Sequence, residues 1–200
     1  MKQIAALLLA SAAFITHSSA TRADEPSVAY SFGARAGGYG FRNTEDPQMG
    51  QWDDCRMDGA GIFGQRTFTR HLFAEVGFDL YTARDAVPVE GMPDPMDRIS
   101  GITTVAGGAR VPWRWVQPYV QLGVGLEVTR VEMPEHDLSD RAVYPMGFLG
   151  VGAELWPTEH LSLGANVRTN MMKHFDHGDG RMTGEFEAAA QGQLFLKYQI

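Results

Sequence analysis

Leu72-Phe73-Ala74-Glu75-Val76-Gly77-Phe78-Asp79-Leu80-Tyr81 is the stretch whose reading decides the fold. Leu72, Ala74, Val76, Phe78 and Leu80 share one parity, and Phe73, Glu75, Gly77, Asp79 and Tyr81 the other. Successive side chains of a strand point to opposite faces, so the stretch predicts one wholly apolar face and one carrying charges, rings and glycine. Two more stretches repeat the pattern. Val120, Leu122, Val124, Leu126 and Val128 alternate with Tyr119, Gln121, Gly123, Gly125, Glu127 and Thr129, and Leu161, Leu163, Ala165 and Val167 with Ser162, Gly164, Asn166 and Arg168. An apolar face that long, set against charges, suits lipid on one side and a polar interior on the other.

Working outward, eight such segments are expected at 27–41, 58–68, 71–83, 98–110, 116–131, 142–155, 160–173 and 184–200. The connections alternate: 42–57, 84–97, 132–141 and 174–183 are long, whereas 69–70, 111–115 and 156–159 are short. An even strand count with long connections at one end and short ones at the other predicts an all-β, eight-stranded antiparallel up-and-down transmembrane β-barrel. Closure pairs the last strand with the first, so no unpaired N–H or C=O faces hydrocarbon. Both termini then lie on the periplasmic side. Arg66, which shares the parity of Ile62 and Phe68, and the Thr103-Thr104 pair break the alternation, so a bulge or a shifted boundary is expected in the second and fourth segments.

Lys2, an apolar or small run over 4–15 and then Ser18-Ser19-Ala20 read as a secretory signal peptide over residues 1–20, with cleavage after Ala20 or after Ala23. The run is far shorter than the ~20 residues of a membrane-spanning helix. The remaining 21–200 form one domain. Cys55 is the sole cysteine, so no internal disulfide is available, and it is read as a loop residue.

The phrases Leu72 to Phe78, Pro118-Tyr119-Val120-Gln121-Leu122-Gly123-Val124-Gly125 and Gly152-Ala153-Glu154-Leu155 resemble the small eight-stranded outer-membrane barrels of the OmpA/OmpX type, over the whole mature chain. The resemblance implies an outer-membrane location in a Gram-negative bacterium, contact with outer-membrane lipid and lipopolysaccharide, and insertion by the barrel-assembly machinery. It implies architecture rather than an activity. The family's terminal signal is matched by Leu194, Leu196 and Tyr198, but the last residue is Ile200 rather than an aromatic. The peptidoglycan-binding domain of some relatives is expected to be missing.

In this register the lumen receives Arg35, Glu75, Asp79, Arg110, Glu127, Glu154, Arg168, Glu185, Glu187 and Lys197. An eight-stranded barrel is only just wide enough for its inward side chains, so these charges are expected to pair across it and plug it. The same carboxylates could suggest acid–base catalysis, but a lumen without room for substrate argues against it. Tyr39, Phe41, Trp113, Trp115, Trp156 and Tyr198 are read as interface aromatics.

The four long connections hold 14 acidic against 5 basic residues, with Asp58 assigned to the second strand. Such a rim repels nucleic acid and favours divalent cations or basic partners. His174, Asp176, His177 and Asp179 form the one candidate metal cluster. Their spacing matches no zinc pattern and lacks the oxygen set of a calcium loop, so a polar loop is preferred and no cofactor is expected.

The expected function is that of a non-enzymatic, monomeric outer-membrane barrel with a structural or interaction role: envelope integrity, or loop-mediated adhesion and surface contact. Three alternatives stand beside it. One is a narrow gated pore for small solutes. Another is a lipid A-modifying enzyme, for which His160 and Ser162 are the only close His–Ser spacing and fall at the periplasmic end. The last is a soluble periplasmic ligand-binding barrel, which needs the parity reversed, with Leu72, Val76, Phe78, Leu122 and Val124 inward.

Overall fold

The computed structural model describes residues 28–41, 56–86, 96–113, 116–133, 138–175 and 182–200. The expected signal peptide and Cys55 lie outside them. The described residues form eight strands: β1 (Ala29–Phe41), β2 (Arg56–Thr67), β3 (Leu72–Ala86), β4 (Met96–Arg110), β5 (Val116–Met133), β6 (Leu138–Leu155), β7 (Leu161–Phe175) and β8 (Met182–Gln199). They close in sequence order into an antiparallel barrel, with Ser31 of β1 opposite Gln199 of β8 and Phe41 opposite Ala189. Every interior strand edge is thereby hydrogen-bonded, as hydrocarbon demands.

Strands two to eight run past their expected ends toward the long connections, which shortens these to 42–55, 87–95, 134–137 and 176–181. In these extensions Asp85, Asp97, Glu132 and Asp140 lie in sheet. Composition marks a loop by its charge, but beyond the membrane a charged strand is fully solvated, so ladder pairing can continue through it.

Side-chain burial fixes the parity. Leu72, Phe78, Leu122, Val124, Leu149, Val167 and Leu194 are exposed on the outside, whereas Glu75, Asp79, Glu127 and Arg168 are buried inside. The reversed arrangement of a soluble ligand-binding barrel is therefore ruled out. Leu122 is 69% exposed and Leu194 70%, values that suit a lipid environment and not water across a belt this continuous.

No bulge falls at Arg66 or at Thr103-Thr104, but both strands begin two residues earlier than expected, at Arg56 and Met96. β2 pairs without interruption on both sides, from Gly40 opposite Arg56 to Ala29 opposite Thr67 and from Asp58 opposite Thr82 to Thr67 opposite Phe73, and β4 does so with β5, from Asp97 opposite Glu132 to Arg110 opposite Tyr119. The register shifts lie in the β3–β4 ladder, where Ala83 opposes Arg98 and Ala86 opposes Met96, and in the β7–β8 ladder between Lys173 and Phe175, both near the long-connection end. Thr103 simply faces outward while Thr104 is buried inside. Arg66 faces outward too, and no bulge hides it.

Candidate functional site: the filled lumen

The interior is layered by charge. At mid-height Arg35 lies between two acids of β3: its Nη1 donates to Glu75 Oε1 at 2.7 Å, its Nε to Asp79 Oδ1 at 2.6 Å and its Nη2 to Asp79 Oδ2 at 2.8 Å. Arg168 reaches the same Glu75 Oε1 from β7 at 2.8 Å. Gln121, with its amide oxygen turned toward it, accepts from Arg168 Nε at 2.8 Å. Gln193 donates to Asp79 Oδ1 at 3.2 Å. Two cations thus face two carboxylates, all buried, in charge-assisted geometry that offsets their lost hydration.

Glycine makes that crossing possible. Arg35 and Asp79 sit on strands separated by β2, and the residue in register between them is Gly61. A Cβ at Gly61 would strike the Asp79 carboxylate, and one at Gly77 would strike the Arg35 guanidinium. Any side chain at either position would occupy the space the ion pair fills.

Toward the short connections a second cluster carries an excess of positive charge. Lys197 Nζ donates to Glu154 Oε1 at 2.7 Å and to Gln65 Oε1 at 2.9 Å. Arg110 Nη2 donates to the same Gln65 oxygen and to Thr67 Oγ1, each at 3.0 Å, while its Nη1 is 3.6 Å from Glu154 Oε2. Phe63, Phe73, Tyr119 and Phe195 pack edge-to-face between the two clusters, with Arg110 over Phe73 and Arg35 over Phe63.

Toward the long connections, Glu127 accepts from Tyr39 Oη at 2.7 Å and from Thr129 Oγ1 at 2.7 Å, with Arg98 Nη2 3.6 Å away. Met57, Ile102, Met146, Phe148 and Met172 fill the space beneath. The cavity lined by Arg35, Phe63, Gln65, Glu75, Tyr119, Glu154, Asn166 and Phe195 has no room for a water molecule.

Of the expected lumen residues, Arg35, Glu75, Asp79, Arg110, Glu127, Glu154, Arg168 and Lys197 all face inward and make ionic contacts. Glu185 and Glu187 lie on β8, with side chains outside the described set. The aromatic assignments divide. Tyr198 is exposed on the outer wall, and Trp113 is exposed in the short connection between β4 and β5. Tyr39 is not an interface residue: it is 1% exposed, inside the lumen, because it shares the odd parity of Arg35. Nor does Trp156 face lipid; it is half-buried, with Lys197 Nζ 5.1 Å from its ring centroid, and covers the short-connection mouth. The side chains of Phe41 and Trp115 lie outside the described residues, as do those of His174, Asp176, His177 and Asp179.

Sequence reasoning missed Gln65, Gln121 and Gln193 as partners of the charged groups, and Gln191 and Tyr81 beside them, the Tyr81 oxygen accepting from Gln191 at 2.6 Å and from Gln193 at 2.8 Å. Their inward parity was the available signal. His160 accompanies no Ser162 dyad: it contacts Gln199 O at 3.1 Å and the Tyr198 ring, while Ser162 is buried inside. Among the described residues no group of three metal-ligating side chains is assembled.

The same architecture recurs in solved structures. Neisserial surface protein A superposes with a TM-score of 0.60 at 11% identity, covering 85% of this chain and 96% of its own. Ail, the attachment invasion locus protein of Yersinia pestis, gives 0.53 at 14% identity, covering 88% and 99%, in a complex with the heparin analogue sucrose octasulfate. The N-terminal β-barrel domain of Pseudomonas aeruginosa OprF gives 0.53 at 13% identity, covering 85% and 97%. At such identities the likeness concerns the fold alone. No curated protein matches in sequence. A family model does, across residues 5–191, and with the closed eight-stranded barrel it shows that the chain belongs to the outer membrane protein beta-barrel domain family.

Proposed function

We propose that this protein is a sealed, non-enzymatic outer-membrane barrel whose work is done at its longer connections, in surface contact or envelope integrity. The observation that carries the reading is the filled lumen. Side chains from all eight strands meet across it in three hydrogen-bonded layers, and the cavity between the mid-height and short-connection layers has no room for a water molecule, still less a solute or a substrate. Reconstituted into planar bilayers, the protein is expected to give no unit conductance steps. Discrete steps would overturn the sealed reading in favour of the narrow pore.

With long connections outside and short ones inside, both termini are periplasmic. The sole cysteine, Cys55, then belongs to the first external connection. In intact cells under reducing conditions it is expected to react with a maleimide too large to cross the outer membrane. Labelling only after lysis would reverse the orientation.

The connections 42–55, 87–95, 134–137 and 176–181 carry 10 acidic residues against Arg42 and Arg181. Ail binds a polyanion, sucrose octasulfate. The acidic rim here opposes such a ligand and favours basic or divalent partners. The protein is read as a monomer, inserted by the barrel-assembly machinery.

A further inference from the structure

Arg66 is a cation that faces outward from β2, two residues before the exposed Phe68 at the short-connection end. Its parity is that of Ile62 and Phe68, both exposed on the outer wall, and the ladders on either side of it are unbroken, Tyr30 opposite Arg66 and Arg66 opposite Ala74. The side chain is therefore directed at the membrane and not misassigned by a slip in register. Around it stand Phe32, Phe68 and Tyr198, exposed, and Tyr30, half-buried. Rings of this kind mark the headgroup level of a barrel, where one end of the ring is apolar and the other wet.

The guanidinium is held, but not by an acid. Its Cζ lies 5.6 Å from the centroid of Tyr30 and 5.1 Å from that of Phe68, a clamp between two aromatic faces. Its Nε is covered and has no hydrogen-bond partner, and among the described residues no carboxylate pairs with it. Other exposed arginines have polar partners: at the long-connection end Arg56 pairs with Asp58 at 3.5 Å and Arg130 with Glu132 at 2.7 Å, and in the short turn beyond Phe68 Arg70 donates from Nε to His71 Nε2 at 3.0 Å. A clamped, unneutralised guanidinium at an interface is oriented for an external anion. Its planar fork of N–H donors suits bidentate contact with phosphate oxygens, and the anion most concentrated at that depth is the phosphate of a membrane phospholipid.

We propose that Arg66, clamped between Tyr30 and Phe68, binds the headgroup phosphate of a phospholipid in the leaflet at the short-connection end. The acyl chains of that lipid would descend along the apolar wall below, over Gly64 and Ile62, beside Phe32 and Ala74. Gly64 leaves this strip shallow: a Cβ there would contact only the Phe32 ring, at 3.7 Å. The site needs no rearrangement of the barrel, because the two rings already fix the guanidinium's plane.

The test is native mass spectrometry of the full chain in uncharged detergent, titrated with phosphatidylglycerol. Parallel titrations use a diacylglycerol with the same acyl chains, and inorganic phosphate as competitor. One phosphatidylglycerol is expected to be retained. Diacylglycerol should be retained at least about tenfold less, since it lacks the charge-assisted contact. Arg66→Gln should reduce phosphatidylglycerol retention by a similar factor, while Arg130→Gln leaves it unchanged. Inorganic phosphate should compete poorly, having no chains to lay on the wall. Equal retention of the two lipids, no loss on Arg66→Gln, or ready displacement by inorganic phosphate would each overturn the proposal. Arg66→Gln must keep its heat-modifiable closed form. Should it not fold, Phe68→Leu, which removes half of the clamp and leaves the charge, is expected to weaken retention severalfold, and unchanged retention there would equally refute the site.

Discussion

Arg35→Met is expected to lower the unfolding free energy of the barrel in lipid vesicles by about 3–5 kcal/mol, the cost of leaving a buried charge without its partner. Arg35 supplies three short hydrogen bonds to two acids. When it is lost the acids fare differently. Glu75 keeps Arg168 at 2.8 Å, whereas Asp79, fully buried, keeps only the neutral amide of Gln193 at 3.2 Å. Most of the penalty should therefore reside at Asp79, and adding Asp79→Leu to Arg35→Met should recover most of the loss. The remaining Glu75–Arg168 pair is balanced, and an apolar pair in place of an ionic one is often neutral. Urea unfolding of wild type, both single variants and the double gives the coupling energy directly. A single-variant loss within about 0.5 kcal/mol, the range of ordinary surface changes, would mean that the mid-lumen layer is not a stability element.

How much of this arrangement a reader of the sequence can see depends on the distance over which the information acts. Strand existence is local: the alternation in 72–81 and 119–129 is visible residue by residue, and these strands appear where the alternation places them. Which side each residue faces is equally local once one register is chosen, which is why eight inward charges could be named. Tyr39 shows how composition can mislead where parity would not: an aromatic near a strand end suggests a girdle, but counting by twos from Arg35 places it inside. Trp156 fails in the same way, one residue out of step with the exposed Leu155. The partners of each charge are not local at all. Arg35 meets Asp79 across 44 residues because Gly61 intervenes in register, and register between strands depends on barrel closure, which no single segment encodes. Arg66 is the opposite case. It looks like a flaw in a strand pattern, and its outward position is real; only the two rings that hold it, one on the neighbouring strand, make it intelligible.

The lower cluster yields a prediction of order as well as size, because its charges do not cancel. Arg110 and Lys197 are both buried and share the single carboxylate of Glu154 and the amide oxygen of Gln65. Glu154→Gln leaves two cations in a dry mouth with only neutral oxygens between them, so both desolvation and like-charge repulsion go unopposed. A loss of about 3–5 kcal/mol is expected, comparable to that of Arg35→Met. Lys197→Met acts on the same pair from the other side. It removes a hydrogen bond of 2.7 Å, but it also relieves the surplus charge, leaves Arg110 to neutralise Glu154, and puts an apolar chain against Trp156, where Lys197 now lies. Its cost should be about 1 kcal/mol, the net value of an ordinary hydrogen bond. Adding Lys197→Met to Glu154→Gln should recover part of the loss, since one cation beside Gln65 is tolerated better than two. These groups are shielded from bulk ions, so the order should hold from low to high salt. Equal costs for the two single variants, or a double variant worse than Glu154→Gln alone, would show that surplus charge does not govern this layer and that the hydrogen bonds of Lys197 do.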